Sequence, residues 1–116
     1  MASYKRFIAW QECHKLVLEV YKATKSFPPE ERYGLTSQLR RASFSAAANI
    51  VEGASRKGRN EFRRFLDISL GSLSEVEYAV EVVAELQYLK SEALSALNAQ
   101  QKRARFFTWK LKASMG

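Results

Sequence analysis

Residues 42–54 read ASFSAAANIVEGA, and this run of small side chains decides the fold. Ala42, Ala46, Ile50 and Gly53 recur at steps of three or four, which is the spacing of one face of an α-helix. A helix that is small and weakly polar on all sides usually has neighbours on several of them, and small side chains let other helices approach closely. We therefore predict that this helix is central, either inside a bundle or facing another subunit.

Three more helices are predicted around this one from the same spacing of apolar residues. The four predicted helices span about residues 8–26, 37–55, 61–89 and 92–112. Phe27-Pro28-Pro29 ends the first, because proline lacks the amide that a helix interior needs. Thr36, Asn60 and Ser91 are the expected N-caps of the other three. Because short connections force long helices to be antiparallel neighbours, the sequence predicts one all-α domain over residues 1–116, an antiparallel up-down-up-down four-helix bundle.

The composition excludes several classes of protein. Cys13 is the single cysteine, so the chain can form neither an intramolecular disulfide nor a thiolate metal cluster. The N-terminus lacks an apolar signal segment, and no run approaches the roughly 18 apolar residues of a membrane span. We expect a cytoplasmic protein with no membrane association.

The charge of the chain is strongly basic and segregated. Lys and Arg total 19 against 12 Asp and Glu, which gives a net charge of +7 and makes a polyanion such as nucleic acid a candidate partner. The predicted nucleic-acid-binding residues are Arg56, Lys57, Arg59, Arg63 and Arg64. They lie at one end of the bundle beside the N-terminus of the third helix, where free amides and the helix dipole favour anions. The alternatives are a solvated end or a salt bridge between subunits.

The acidic side chains concentrate in the third helix. Glu77, Glu81 and Glu85 are spaced four apart and repel one another. The antiparallel fourth helix would bring a basic stretch opposite them, and its expected ion-pair partners are Lys102, Arg103 and Arg105.

A polar stripe follows the second helix. Its members are Gln38, Arg41, Ser45, Asn49 and Glu52. We interpret the stripe as a hydrogen-bonded network that fixes the register of helices or subunits, with a functional groove as the alternative.

No catalytic or metal-binding pattern is present in the sequence. His14 is the only histidine, and it diverges from Cys13 because adjacent helical residues point about 100° apart. The sequence has no Glu-x-x-His pair of a di-metal bundle and no glycine-rich phosphate loop. We predict a protein that is not an enzyme and has no cofactor or metal.

Six segments occur in a characteristic order along the chain: FIAWQ (7–11), FP (27–28), ERYGLTSQLRRA (31–42), NIVEG (49–53), EFRRFL (61–66) and LGSLSE (70–75). Together they resemble the family of 23S rRNA-intervening-sequence proteins. The resemblance covers residues 7–90 and implies a four-helix bundle and a ring-like homo-oligomer, expected to be a pentamer. The resemblance implies no enzymatic activity. The accessory proteins of diversity-generating retroelements, which are similar in fold, are basic and engage nucleic acid.

Two functional hypotheses follow. The first is a self-assembling bundle that binds RNA or other single-stranded nucleic acid through basic surfaces. The second is an oligomeric protein-interaction scaffold with no nucleic-acid role, suggested by the alanine-rich second helix and by Phe106, Phe107 and Trp109 near the end of the fourth.

Overall fold

Four long α-helices account for most of residues 3–116, which are the residues that the computed structural model describes. They are α1 (Ile8–Thr24), α2 (Leu35–Ala54), α3 (Arg59–Leu86) and α4 (Ser91–Ala113), with single 3-10 turns at Ser3–Arg6 and Pro29–Glu31. The described chain contains no strand. The predicted all-α fold class is confirmed.

Each helix packs against two neighbours, and the short connections make consecutive helices antiparallel. The neighbouring pairs are α1 with α2, α2 with α3, α3 with α4, and α4 with α1. The bundle measures 43 × 25 × 24 Å. No helix among the described residues is long and apolar enough to cross a membrane.

The core runs along the axis of the bundle and includes a large side chain from every helix. Its fully buried leucine and isoleucine residues are Leu16, Leu39, Ile50, Leu66, Leu73 and Leu97. The small residues of α2 let α3 approach closely. The buried Ser69 hydroxyl donates a 2.7 Å hydrogen bond to the carbonyl of Ala46, and a Cβ on Gly53 would lie only 2.8 Å from the Phe62 ring.

The predicted N-caps are wrong for all three helices that follow a connection. The helices begin one or two residues earlier than those N-caps imply, with Gly34, Gly58 and Lys90 at the N-cap positions. Gly58 has φ +87°, a conformation that a side chain would strain. At α2 the capping oxygen comes from the preceding turn, because Glu31 Oε1 accepts a 3.0 Å hydrogen bond from the Leu35 amide.

Within residues 3–116, the polar stripe of α2 hydrogen-bonds to another helix at its middle, while Glu52 at its C-terminal end pairs with Arg56. Ser45 Oγ lies 2.8 Å from Ser72 Oγ on α3, and the Asn49 amide donates to the Ser45 carbonyl at 2.8 Å. Gln38 and Arg41 are exposed at one end of the stripe. The network interpretation therefore fits the centre of the stripe, where α2 faces α3.

Glu12, a buried carboxylate on α1, pairs with Arg103, which was expected to pair with the acidic residues of α3. Glu12 is 4% exposed, and its Oε1 accepts hydrogen bonds from Arg103 Nε at 3.1 Å and Gln100 Nε2 at 3.0 Å. The Arg103 hydrogen bond lowers the pKa of Glu12 to about 2 against the opposing effect of burial. Arg105 does pair with Glu77 at 3.3 Å, as predicted. Arg103 pairs with Glu12 and not with the acidic residues of α3. Lys102 has no ion pair among residues 3–116.

Cys13 and His14 diverge as the helical geometry requires. Cys13 is fully buried, with its sulfur 3.5 Å from Thr108 Oγ1, and burial raises its pKa to about 11. His14 is exposed and stacks on Trp10, with ring centroids 4.9 Å apart.

Candidate nucleic-acid interface

The five predicted site residues lie together where α2 ends and α3 begins. Arg56 and Lys57 are in the connection, and Arg59, Arg63 and Arg64 are in the first two turns of α3. The tight turn at Gly58 keeps the cations of the connection close to those of α3. All are exposed except Arg63, which is half-buried.

Two of the five cations are paired with carboxylates three or four residues away in the chain. Arg56 pairs with Glu52 at 3.0 Å, and Arg64 pairs with Glu61 at 3.1 Å, which lowers the pKa of Glu61. Both guanidinium groups also lie over the ring of Phe65, at 5.2 and 4.5 Å from its centroid. These contacts orient the two side chains and neutralise part of their charge.

Three of the five cations remain without a carboxylate partner among residues 3–116. They are Lys57, Arg59 and Arg63. The Arg63 guanidinium lies beside Gly116, since a Cβ on that glycine would be 2.9 Å from Arg63 Nη1. The C-terminal segment therefore packs beside this surface.

The fold adds cations from both ends of the chain to the same end of the bundle. Phe7, just after the first 3-10 turn, packs edge-on against Phe62 of α3 with ring centroids 5.4 Å apart. This contact brings Lys5 and Arg6 to the start of α3, and the last turn of α4 brings Lys110. We call Lys5, Arg6, Arg56, Lys57, Arg59, Arg63, Arg64 and Lys110 the basic end.

The sequence pattern does not group Lys5, Arg6 and Lys110 with the predicted site, because they are far from residues 56–64 along the chain. The signal that could have found them was topological. In an up-down-up-down bundle the start of the first helix and the end of the fourth lie at the α2–α3 connection.

Side chains set the electrostatic potential of the basic end. The N-termini of α1 and α3 and the C-termini of α2 and α4 meet there, so the helix dipoles largely offset one another. The α3 dipole therefore contributes less to the positive potential of this end than the sequence alone suggests. What remains is a cluster of cationic side chains spread over one end of the bundle, which suits a phosphate backbone better than a single bound anion.

The family model for the 23S rRNA-intervening sequence protein matches residues 5–106. The chain belongs to the 23S rRNA-intervening sequence protein family. The match extends into α4, beyond residue 90, where the resemblance seen in the sequence ends.

The fold is shared with a solved structure. The chain is similar to a protein of unknown function from the S23 ribosomal protein family of Bacteroides thetaiotaomicron, whose crystal structure was determined at 1.70 Å resolution. The TM-score is 0.79 at 20% identity, covering 90% of this chain and 97% of that one. At this identity the likeness concerns the fold alone. A comparison with curated proteins finds no match.

Proposed function

We propose that this 23S rRNA-intervening sequence protein is a non-enzymatic, self-assembling cytoplasmic bundle that binds RNA or other single-stranded nucleic acid through its basic end. The observation behind the proposal is the set of cations there that have no carboxylate partner within residues 3–116, above all Lys57, Arg59 and Arg63. The family description, which refers to 23S rRNA, favours RNA as the polyanion.

Exposed aromatic rings beside the basic end favour a single strand over a duplex. Phe106 and Trp109, in the last turns of α4, are 51% and 57% exposed, and Lys110 Nζ lies 6.0 Å from the Phe106 ring centroid. Unpaired bases stack on such rings, while cations beside them hold the phosphates. A duplex hides the faces of its bases and would leave these rings unused.

Self-assembly is supported by an apolar stripe on the outside of α2. Phe44, Ala48 and Val51 follow one another at helical spacing, and Phe44 is 61% exposed. We call these three residues the outer stripe. An assembly through it would multiply the basic end by the number of subunits, and several weak phosphate contacts would then act together. A pentamer is the expected assembly.

The salt dependence of RNA binding tests the basic end. For a fluorescein-labelled single-stranded RNA, the slope of log affinity against log salt should be about −0.7 for each phosphate contact. Replacing Lys57, Arg59 and Arg63 together by Gln should weaken binding and flatten the slope by about 2. Fluorescence anisotropy at several salt concentrations measures both.

The matched control removes the same charge elsewhere, by replacing the exposed Lys22, Lys90 and Lys102 by Gln. It should leave the slope within error of the parent protein. An unchanged slope in the variant of Lys57, Arg59 and Arg63 would reject the basic end as the RNA-binding site. In that case, a protein partner recovered from nuclease-treated extract through Phe106 and Trp109 would favour the interaction scaffold.

A further inference from the structure

A second basic surface lies at the other end of the bundle. The connection from α1 to α2 and the first turns of α2 line an open cleft of about 840 Å³. Its lining contains four cations and no carboxylate. The four are Lys25, Arg32, Arg40 and Arg41. We call this the α1–α2 cleft.

The cleft cations differ from the arginines that flank the α2–α3 connection. None of the four forms an ion pair within the part of the chain that the structure describes, whereas Arg56 and Arg64 both do. The nearby Glu31 is engaged on its other sides, by the Leu35 amide at 3.0 Å and the Tyr88 hydroxyl at 2.8 Å. These hydrogen bonds lower the pKa of Glu31 and keep it ionised, but neither of its oxygens pairs with a cleft cation, so the four cations can still bind an external anion.

Arg40 is held in place on the wall of the cleft. Its Nε donates a 2.9 Å hydrogen bond to Thr24 Oγ1, and its guanidinium lies 4.5 Å from the Tyr21 ring centroid. Thr24 is in turn fixed, since its hydroxyl donates to the Val20 carbonyl at 2.8 Å. The terminal nitrogens of Arg40 have no partner among residues 3–116, and a planar guanidinium fork held in this way matches two oxygens of a phosphate.

An aromatic ring and two hydroxyl groups complete the cleft. Tyr33 is 88% exposed, although it lines the cleft beside Arg32. A ring this exposed gains little from the fold, but it offers a face on which a planar base can stack. Thr36 and Ser37, in the first turn of α2, add hydroxyl groups that can hydrogen-bond to phosphate or sugar.

We propose that the α1–α2 cleft binds a nucleotide unit, with the phosphate on Arg32, Arg40 and Arg41 and the base on Tyr33. The volume is sufficient, because small-molecule sites commonly span about 300–1,000 Å³. The unit is either a free nucleotide or one residue of a single strand. The cleft lies at the α1–α2 connection and is separate from the basic end, so this site stands or falls independently of the proposed function.

Binding of adenosine 5′-monophosphate, ribose 5-phosphate and adenosine tests both halves of the site. Isothermal titration calorimetry at low salt should show the nucleotide binding more tightly than either fragment. Replacing Arg32 and Arg41 by Gln should weaken nucleotide binding about tenfold or more, since hydrogen bonds to charged groups are lost. Tyr33→Ala should reduce nucleotide affinity to that of ribose 5-phosphate. Lys102→Gln, an exposed cation outside the cleft, is the control and should have no effect.

The RNA titration distinguishes a free nucleotide from a residue of a strand. If the free nucleotide does not bind, but the Arg32 and Arg41 variant weakens RNA binding about tenfold and Tyr33→Ala weakens it too, the cleft holds a nucleotide within a strand. Failure of the variants to change the affinity for either probe overturns the proposal. So does equal affinity for the nucleotide and ribose 5-phosphate combined with an inert Tyr33→Ala. The basic-end variants remain informative in each case, because they alter none of the cleft residues.

Discussion

At the scale of single residues, Glu12 shows how a buried charge is stabilised in this bundle. It lies on α1 next to the core residue Cys13. The structure buries it between α1 and α4, where Arg103 and Gln100 supply hydrogen bonds and Lys15 approaches to 3.3 Å. Removing Arg103 would leave the buried Glu12 carboxylate with fewer partners, which costs more than the pair contributes, whereas removing Glu12 leaves Arg103 exposed to solvent.

The lowered pKa of Glu12 predicts an acid-sensitive part of the stability. Because the folded-state pKa of about 2 lies below the ordinary 4.5, the stabilisation is complete above pH 4.5. It is lost as pH falls from 4.5 towards 2. We expect this contribution to be about 1–3 kcal/mol, reduced by solvent around the half-exposed Arg103.

Urea unfolding at a series of pH values measures the contribution of Glu12 to the free energy of unfolding. Glu12→Gln should be less stable than the parent at pH 7, and the difference should shrink towards pH 2. Glu92→Gln, at an exposed position on α4, is the matched control. A gap between Glu12→Gln and the parent that stays constant with pH would contradict the assignment.

At the scale of elements, the contact between α2 and α3 depends on small residues in α2. Periodicity predicted all four helices, because each one repeats an apolar face that the bundle buries. It could not predict how the helices start. The α2 cap is a carboxylate from the preceding turn, and α3 starts after a glycine with positive φ, so neither matches the usual Ser, Thr, Asp or Asn signal.

Two helical glycines give opposite predictions for the same substitution. Gly53→Ala would place a Cβ within 2.9 Å of Phe62 and Phe65, so we expect a loss of about 1–3 kcal/mol in the free energy of unfolding. Gly71→Ala has nothing within 4 Å and should gain about 0.5–1 kcal/mol, because alanine favours helix. Thermal or urea unfolding measures both. Equal effects at the two sites would show that the close approach at Gly53 is absent.

At the scale of the whole molecule, topology determines which charges act together. Arg56, Lys57, Arg59, Arg63 and Arg64 were predicted because they are neighbours in sequence. Their ion pairs were missed, although Glu52 and Glu61 lie four and three residues from their partners, a spacing at which helical side chains meet. The α1–α2 cleft escaped notice because its four cations are separated by as much as 16 residues and meet only after folding.

Two adjacent alanines separate the inside of the bundle from its outer stripe. Ala47 is 7% exposed and points into the core, so Ala47→Leu should lower the free energy of unfolding by about 1–3 kcal/mol. Ala48 is half-exposed on the outer stripe, so Ala48→Leu should retain helicity but reduce the assembled mass. Static light scattering and circular dichroism measure these changes.

Ala99→Leu, at an exposed position on α4, is the control and should change neither quantity. The parent protein should scatter as a multiple of its 13.3 kDa mass. A parent that scatters as a single chain at all concentrations, or an Ala48→Leu variant with unchanged mass, would argue against assembly through the outer stripe.

The packing of Phe7 on Phe62, and of Gly116 beside Arg63, has a practical consequence for handling the protein. A purification tag or fluorescent fusion attached next to Ser3–Arg6 or next to Gly116 would lie close to the basic end and screen it sterically. A polyhistidine tag there would also add titratable groups to the surface being measured. Labels placed in the 87–90 connection, at the far pole of the bundle, would leave that surface clear.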